Sequence, residues 1–329
     1  MKRSERKRKK SKHKGLRIFF LSLTIILVLG TIYWVYQFNS GQSLAGEGID
    51  KEANTEFEPF EAEDPQFGEI NVLLLGSDAR GNDEDARSDS LMIAHYNQTT
   101  NEVKLVSVMR DTYVEIPEYG YQKINTAFAL GGPELVRKTI KHNFDVDVHY
   151  YAMVDFTGFP KIIDVVAPDG IEVDIPYTMS HGIGMTLQPG KQTLHGEQLL
   201  GYVRFRHDIK SDYGRVERQQ EVLSKVKDEA ISVHSLLNLP KILGVVNPYI
   251  DTNVDNRTIL TIGKGLLTGQ AQGMETMRIP VENSFKEERL NRVGEVLTID
   301  FEKNKQALQA FLSATDEVSD SDVDEGTSE

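Results

Sequence analysis

The chain contains no cysteine, although it is 329 residues long. This absence excludes disulfide bonds, thiolate zinc sites and cysteine nucleophiles, so stability must come from packing. The sequence also lacks a G-x-S-x-G nucleophile elbow, a Walker loop, a dinucleotide-binding glycine motif and an H-E-x-x-H pattern. The common motifs of hydrolases, nucleotide-binding enzymes and zinc proteases are therefore missing from a chain that is long enough for one large domain or two ordinary ones.

Basic residues are missing from the end of the chain. No Lys or Arg follows Lys305, and residues 316–329 contain seven acids, so we expect a disordered acidic tail. The opposite end is basic: residues 1–17 contain ten Lys/Arg and one acid, a net charge of +9, whereas the rest of the chain carries 27 bases and 49 acids, a net charge of −22. A basic arm of this kind is compatible with binding to nucleic acid or to anionic lipid. The segment that follows the arm helps to decide between these two partners.

An uncharged run of nineteen residues, Ile18–Tyr36, follows the basic arm. A helix that rises about 1.5 Å per residue spans roughly the 30 Å hydrocarbon core of a bilayer over this length. Tyr33, Trp34 and Tyr36 lie at the far end of the run, where interfacial aromatic residues are typical. A cleaved signal peptide fits less well than an uncleaved anchor, because the run is long and no small-x-small site follows it directly.

The charge on either side of this run predicts a single-pass type II protein of the cell membrane, with a cytoplasmic N-terminus and an extracellular C-terminal domain. The segment after the run is polar and acidic and has no apolar periodicity, which indicates a flexible stalk. The expected parts are a basic arm at 1–17, a transmembrane signal-anchor helix at 18–38, a stalk at 39–68, a domain at 69–315 and the tail at 316–329.

Short apolar runs and amphipathic segments alternate within the expected domain. They predict strands at 70–75, 90–96, 102–109, 149–154, 170–173 and 274–279, and helices at 133–142, 156–166, 196–202, 214–233 and 256–267. No regular βαβ repeat is present. The pattern therefore favours an α/β sandwich with a mixed central sheet.

Two aspartates lie at the ends of neighbouring predicted strands. Asp78 follows the first strand, and Asp89 opens the second. Two carboxylates at adjacent strand ends can share Mg²⁺, which takes one or two carboxylates and completes its shell with water and phosphate oxygens. Taken singly, each aspartate is more typical of ordinary turn chemistry.

Several arginines lie near these acids in an otherwise acidic domain. Guanidinium groups suit bidentate phosphate binding, and a helix that begins at Gly214 would add N–H donors for an anion. Arg204 and Arg206 alternate on a segment expected to be extended, whereas Arg215 and Gln219 share one face of a helix. The alternative interpretation of these arginines is ion pairing with Asp111, Asp208, Asp212 and Glu217.

Seven segments resemble the LytR–CpsA–Psr family, in the order of that family and over about residues 69–235. The basic arm, the single anchor and the stalk are similar to it as well. The residues of these motifs are most similar to the branch of the family that includes teichoic acid transferases and a regulator of methicillin resistance. The resemblance is weak beyond about residue 240. The segments are Asn71–Arg80, Arg87–Leu91, Ser107–Tyr113, Lys123–Asn125, Tyr150–Pro160, Gly196–Arg206 and Asp212–Gln220.

The resemblance implies an α/β sandwich with a mixed central sheet and an apolar pocket for a polyprenyl chain. It implies a phosphotransferase that moves a glycopolymer, such as wall teichoic acid, from a polyprenyl-diphosphate carrier to peptidoglycan at the outer face of the membrane. Mg²⁺ would be held by Asp78 and Asp89. The residues with catalytic roles would be Asp78, Asp89, Arg87 and Arg110, and the phosphates would be bound by Arg87, Arg110, Arg204, Arg206, Arg215 and Gln219.

Two alternatives from other classes stay open at this point. One is a lipid-binding scaffold without catalysis, and the other is a membrane-bound regulator that attenuates cell-envelope functions. A regulator that binds DNA needs a basic footprint. The only such footprint in the sequence is the arm at 1–17, which anionic lipid explains better because the arm adjoins a membrane segment, so no nucleic-acid partner is expected.

Overall fold

The computed structural model describes residues 2–45, 57–65, 68–77, 88–230, 233–246, 248–268 and 274–314. Asp78, Arg87 and the expected acidic tail lie outside the described residues. The helices are α1 (Lys2–Ala45), α2 (Thr126–Phe144), α3 (Gly158–Val166), α4 (Gly196–Arg204), α5 (Ser211–Ala230), α6 (Val233–Val246), α7 (Asn256–Thr268) and α8 (Phe301–Ser313). The strands are β1 (Glu69–Ser77), β2 (Ser88–Asn97), β3 (Val103–Val108), β4 (Thr112–Ile116), β5 (Gly120–Lys123), β6 (Tyr150–Asp155), β7 (Ile171–Ile175), β8 (Gly190–Leu194), β9 (Ile250–Thr252), β10 (Glu275–Ile279), β11 (Phe285–Leu290) and β12 (Gly294–Ile299).

A mixed sheet of six strands lies at the centre, in the order β10-β3-β2-β1-β6-β9. Strand β1 is antiparallel to β2 and parallel to β6, and β3 is parallel to β10. The turn between β2 and β3 forms where the sequence predicts it, because the Asn97 side chain accepts a hydrogen bond from the Thr99 N–H at 2.8 Å and Asn101 adopts a φ of 61°. The prediction of an α/β fold with a mixed central sheet is confirmed.

Helices α2 and α8 cover one face of this sheet. Leu73, Ile93 and Val106 come from three neighbouring strands and are completely buried against Ile140 and Leu308. Burying a side chain of this size stabilises the fold by about 1.5–3 kcal/mol. The apolar alternation of the central strands is therefore the feature that positions the remaining elements.

Helix α2 begins at Thr126, earlier than the start predicted at Pro133. Gly131 and Gly132 have non-helical dihedral angles, with a φ of 62° at Gly132, so a short first segment is separated from the predicted helix. Pro133 then opens the second segment, where a fixed φ and a missing N–H are tolerated. The predicted start was thus a break inside a longer element.

Strands β4, β5, β11 and β12 form a second sheet, in the order β11-β12-β4-β5, which the sequence did not predict. Residues 286–289 of β11 are all exposed, so the strand has none of the alternation that marks a half-buried strand. Helix α8 was missed as well, although the Asp300 carboxylate caps it by accepting from the Lys303 N–H at 3.1 Å. Strand β11 and helix α8 lie in the C-terminal part of the chain, where the sequence pattern was weakest.

Helix α1 contains Ser22–Ser43, which is, within the part of the chain that the structure describes, the one segment long and apolar enough to cross a membrane. The last turns of α1 pack closely on α6. A methyl group added to Gly41 would lie 2.2 Å from the Lys241 carbonyl oxygen, and one added to Gly244 would lie 2.3 Å from the Phe38 carbonyl oxygen. Glycine at both positions therefore permits direct contact between the two backbones.

Residues 57–65, which belong to the expected stalk, run along the domain. Phe60 packs against the core on the α2 side of the sheet, and the Phe57 ring lies 5.8 Å from that of Phe128. The boundaries of anchor, stalk and domain remain predictions. The aromatic contacts show that the end of the stalk segment lies against the domain.

Replacing Ile93 by Ala tests the buried face of the sheet. Since Ile93 is completely buried, we expect a loss of roughly 2–5 kcal/mol in the free energy of unfolding, measured by urea titration of the full chain in detergent. Ile209→Ala is the matched control, because the Ile209 side chain is fully exposed, and it should change stability by less than about 0.5 kcal/mol. Equal effects of the two substitutions would contradict the packing described here.

Candidate functional site

The end of β1 and the start of β2 form an irregular edge. Gly76 pairs with Ser90 and Ser77 pairs with Ser88, so Asp89 is the extra residue of a β-bulge. Bulges bend a strand and change the direction of a side chain, and they are common beside active sites. A Cβ atom at Gly76 would lie 3.0 Å from the Ser90 Cβ, so the two strands approach closely at this point.

One of the two predicted metal ligands, Asp89, belongs to this edge. Asp89 lies on the bulge, with only its backbone described, and Asp78 follows Ser77 in the sequence but lies outside the described residues, as does Arg87. Among the described residues, no group of three or more His, Cys, Asp or Glu could hold a metal ion. Mg²⁺ needs only one or two carboxylates when phosphate and water complete its shell, so an aspartate on the bulge suits this ion by its donor chemistry.

Helix α5 crosses the sheet beside this edge. The Ser90 hydroxyl donates to the Gln219 Oε1 at 3.4 Å, and the Gln220 Nε2 donates to the Ser107 hydroxyl at 3.0 Å. Val216, one turn earlier in the helix, packs against Met109. These contacts fix Gln219 beside the bulge.

The predicted anion site at the start of this helix is wrong. Helix α5 begins at Ser211 rather than at Gly214, and its first N–H groups already have acceptors. Ser211 N–H donates to the Asp208 carbonyl at 3.1 Å, and the N–H groups of Tyr213 and Gly214 donate to the Lys210 carbonyl at 3.0 and 3.4 Å. The N–H groups of Ser211, Tyr213 and Gly214 are therefore not free to bind a phosphate.

Arg206 and Arg215 converge on one carboxylate. The Arg215 Nη2 lies 2.9 Å from the Asp212 Oδ1, and the Arg206 Nη1 lies 3.7 Å from the same oxygen. The Arg215 side chain is almost completely buried, whereas that of Arg206 is 35% exposed. Two guanidinium groups therefore contact one carboxylate at the start of α5.

Arg204 ends helix α4, so it does not alternate with Arg206 on an extended segment as predicted. The helix stops there because Phe205 takes an extended conformation, with φ −63° and ψ 133°. The Arg204 guanidinium lies 4.6 Å from the centre of the Phe156 ring. An edge atom of that ring is 4.0 Å from the position of a Cβ at Gly76, so Phe156 connects Arg204 to the end of β1.

Arg110 follows β3 at the same end of the sheet. Its Nε lies 3.5 Å from the Asp111 Oδ2, and the other oxygen of Asp111 lies 2.7 Å from the Lys123 Nζ. The interpretation that the arginines pair with acids therefore holds in part: Arg110 contacts Asp111, and Arg206 and Arg215 contact Asp212. Asp208 and Glu217 bind other bases.

Sequence reasoning missed Arg218, although it lies within the segment Asp212–Gln220. Its side chain is buried, its Nη1 lies 2.8 Å from the Asp208 Oδ2, and its Nη2 donates to the Phe205 carbonyl. The guanidinium also lies 5.6 Å from the Phe205 ring. Arg218 thus ties the segment that carries Arg204 and Arg206 to helix α5. The spacing of three residues from Arg215 was the available signal.

A second missed residue, Arg278, lies on β10 opposite Ser107 of β3. Its guanidinium lies 4.5 Å from the centre of the Tyr213 ring, and its Nε is buried without a hydrogen-bond partner among the described residues. Burial, together with Glu287, raises the pKa of Tyr213 to about 12, so the ring is a neutral phenol at pH 7. The sequence carried no signal for Arg278, because no recognisable motif surrounds it.

The face of the sheet beneath α5 is only partly covered. Leu73 and Leu75 of β1 point to the opposite face and are buried, whereas Val72 and Leu74, on the α5 side of the same central strand, are partly exposed. Helix α7 covers the far end of this face, where the Thr258 hydroxyl donates to the Tyr150 hydroxyl at 3.2 Å. A partly exposed apolar strip thus leads along β1 to the polar bulge.

Comparison with known proteins identifies the family. The family described as LytR_cpsA_psr matches residues 32–310, which is most of the chain. The chain belongs to the LytR–CpsA–Psr family. It is 39% identical over 282 residues to the regulatory protein MsrR of Staphylococcus aureus, with 85% of each chain covered.

Two further relatives carry names that describe a reaction or a ligand. The polyisoprenyl-teichoic acid–peptidoglycan teichoic acid transferase TagU of Oceanobacillus iheyensis is 33% identical over 248 residues, which cover 70% of this chain and 75% of that protein. A solved structure of TagT bound to LIIa-WTA is 27% identical, with a TM-score of 0.61 over 81% of this chain and 95% of that one. The family resemblance and the fold predicted from the motifs are confirmed.

The Arg218–Asp208 pair gives a pH-dependent prediction. Burial alone would raise the pKa of Asp208, but hydrogen bonds from Tyr177 and Arg218 outweigh it and lower the pKa below its usual value. The stability that this carboxylate contributes is therefore present above pH ~4, the usual pKa of an unfolded aspartate, and is lost as the pH falls through the lower folded value.

Asp208→Asn should lower the free energy of unfolding by roughly 3–5 kcal/mol at pH 7, because it leaves Arg218 buried without its partner. The difference from wild type should shrink as the pH falls below about 4. Denaturant titrations at several pH values measure both effects, with the exposed Asp169→Asn as the control. A difference that stays constant down to pH 3 would show that this ion pair does not stabilise the fold.

Proposed function

We propose that this chain is a phosphotransferase that attaches a polyprenyl-diphosphate-linked glycopolymer, wall teichoic acid or a similar anionic polymer, to peptidoglycan. The observation that carries the proposal is the meeting of two surfaces, the partly exposed apolar strip along β1 and the arginine-rich edge at its end. An amphiphile with a long apolar chain and a diphosphate head has this distribution of chemistry. The names of TagU and TagT support the same class of ligand.

In this proposal the polyprenyl chain lies along Val72 and Leu74, and the diphosphate lies at the bulge. Arg215 and Gln219 contact the phosphates from α5, and Arg204, Arg206 and Arg110 contact them from the adjoining segments. Fixed guanidinium groups spread the negative charge that grows on the phosphate oxygens in the transition state. Arg278, at the same end of the sheet, is a further candidate for this role.

Asp78 and Asp89 are proposed to hold Mg²⁺, which when bound supplies additional neutralisation of the diphosphate charge. A sugar hydroxyl of peptidoglycan attacks the phosphorus next to the polymer. The bond from that phosphorus to the bridging oxygen breaks, and polyprenyl phosphate leaves with the bonding electrons. The diphosphate linkage itself supplies the driving force, so the reaction needs no nucleotide.

The hydroxyl proton needs an acceptor, and Asp89 and Asp111 are the two candidate carboxylates. Asp111 already binds Lys123 at 2.7 Å and Arg110 at 3.5 Å, so its oxygens are engaged by cations. Asp89 is the extra residue of the bulge, where its proposed role is to hold Mg²⁺. Whichever of the two acids accepts the proton must therefore do so while it binds a cation.

The name of MsrR favours a second candidate, a membrane-bound regulator of cell-envelope functions, and a lipid-binding scaffold without catalysis would present the same surfaces. Both alternatives bind the lipid without transferring the polymer. A measurement of polymer transfer therefore distinguishes both alternatives from an enzyme.

A transfer assay with a lipid-diphosphate-linked donor and peptidoglycan tests the proposal. Arg215→Ala and Arg204→Ala should lower kcat roughly 10²–10³-fold, as expected when a fixed donor to a charged transition state is lost. Arg215→Lys should restore little activity, because an ammonium group cannot form the two-pronged contact of a guanidinium. Asp78→Ala and Asp89→Ala should lose activity together with the dependence on Mg²⁺.

Arg289→Ala is the matched control, since Arg289 is exposed on β11 away from the bulge, and it should keep wild-type turnover. Thermal melts of each variant identify losses that come from unfolding. Wild-type turnover per folded molecule in all four alanine variants would remove this site from consideration. A wild-type protein that binds the donor and never transfers it would favour the scaffold.

The location of the domain is a separate proposal. The +9 arm before the apolar run places residues 1–17 in the cytoplasm and the domain outside the cell, as the positive-inside rule requires. Protease added to intact protoplasts should then remove a tag placed at the C-terminus, whereas a tag at the N-terminus should be protected. The opposite pattern of protection would exclude a reaction with peptidoglycan.

A further inference from the structure

A large cleft lies on the far side of α5 from Gln219. It has a volume of about 1280 Å³, and its floor is formed by the face of α5 that carries Gly214, Glu217, Arg218 and Glu221. These positions follow the spacing of one helix face. The segment between α4 and α5 supplies a second wall, and the end of β7 supplies a third. We call this the α5 cleft.

The cleft has the chemistry of a sugar-binding surface. The Tyr177 ring is 38% exposed and the Ile209 side chain is fully exposed, so both offer apolar area to a ligand. The carboxylates of Asp174 and Glu221 lie beside them. Sugar rings present apolar C–H faces and a rim of hydroxyl donors, which match an aromatic or aliphatic surface flanked by carboxylate acceptors.

The charges of the cleft do not suit the donor polymer. Its cations are already paired, because the Lys210 Nζ lies 2.7 Å from Glu217 and the Arg218 Nη1 lies 2.8 Å from Asp208. Asp174 has no ion pair among the described residues, and so the cleft carries a surplus of negative charge. A polymer rich in phosphate is repelled by such a surface, whereas a phosphate-free glycan is not.

The cleft and the proposed phosphate site share their structural parts. The segment after α4 carries Arg206, which faces Asp212, and then His207 and Ile209, which line the cleft. Helix α5 presents Arg215 on one side and Glu217 on the other. A polymer that occupies the cleft therefore passes the first turn of α5, next to Arg206 and Arg215.

We propose that the α5 cleft binds the glycan strand of the acceptor, a phosphate-free polysaccharide of N-acetylated amino sugars, and so presents a sugar hydroxyl to the phosphates held at Arg215. This inference rests on the proposed function for the hydroxyl's role. The binding of the strand itself does not depend on transfer.

Two variants of the full chain in detergent test the cleft. Tyr177→Ala removes the exposed ring, and Ile209→Ser changes a fully exposed side chain that no buried contact requires. Each should raise the KM for peptidoglycan about tenfold, and Ile209→Ser should leave the KM for the lipid-linked donor unchanged. Tyr177→Phe, which loses the hydrogen bond to Asp208 but keeps the ring, should keep the wild-type KM for peptidoglycan. Tyr119→Ala is the matched control, because Tyr119 is an exposed tyrosine (47%) outside the cleft, and it should alter neither KM.

A binding measurement separates the failure of this inference from the failure of the proposed function. Calorimetry with soluble glycan strands, released from peptidoglycan by an amidase, should show binding that both cleft variants weaken about tenfold and that free teichoic acid does not compete for. If wild type binds strands but never transfers polymer, the proposed function fails and the cleft assignment stands. Unchanged strand binding and unchanged acceptor KM in Ile209→Ser and Tyr177→Ala, or competition by teichoic acid, would overturn the cleft assignment.

Discussion

Helix α5 depends on contacts along its whole first half, and the rest of the site depends on α5. Gln219 and Gln220 bind hydroxyls of β2 and β3, and Arg218 binds Asp208 and the Phe205 carbonyl in the segment that precedes the helix. If these contacts broke, Gln219 would lose its position beside the bulge, and the group formed by Arg206, Asp212 and Arg215 would no longer be held at the start of the helix. Helix α5 therefore fixes the arginines that it carries and those of the segment that precedes it.

The apolar helix α1 contacts the rest of the fold directly, at its C-terminal turns. Helix α6 contacts α1 where Gly41 meets Gly244, and Val245 of α6 packs against Ile162 and Val165 of α3. Helix α3 follows β6, the strand beside β1. The apolar helix is thus linked through α6 and α3 to the strand that lies beside the partly exposed strip of the sheet.

The sequence predicted the elements whose patterns are local. The apolar runs of β1, β2 and β3 and the amphipathic spacing of α5 follow from side-chain periodicity, so their positions could be read directly. The contacts of Arg204 could not be predicted in this way. Helix α4 ends at Arg204 and Phe205 is extended, and this boundary decides whether Arg204 and Arg206 alternate on an extended segment. The role of Arg278 depends on β10 pairing with β3, a contact between residues far apart in the chain that no local pattern encodes.

The pairing of arginines with acids has a counterpart in the charge of the chain. The chain after residue 17 has a net charge of −22, which would repel the polyanionic substrate of the proposed function at long range, so binding it would need a local concentration of cations. Unpaired guanidinium groups this close together would repel one another and destabilise the empty site. Asp212 reduces that repulsion by bridging Arg206 and Arg215. In the proposed function, a diphosphate would bring more negative charge than this carboxylate and could accept from both forks, so substrate binding would add to the contacts that Asp212 already makes.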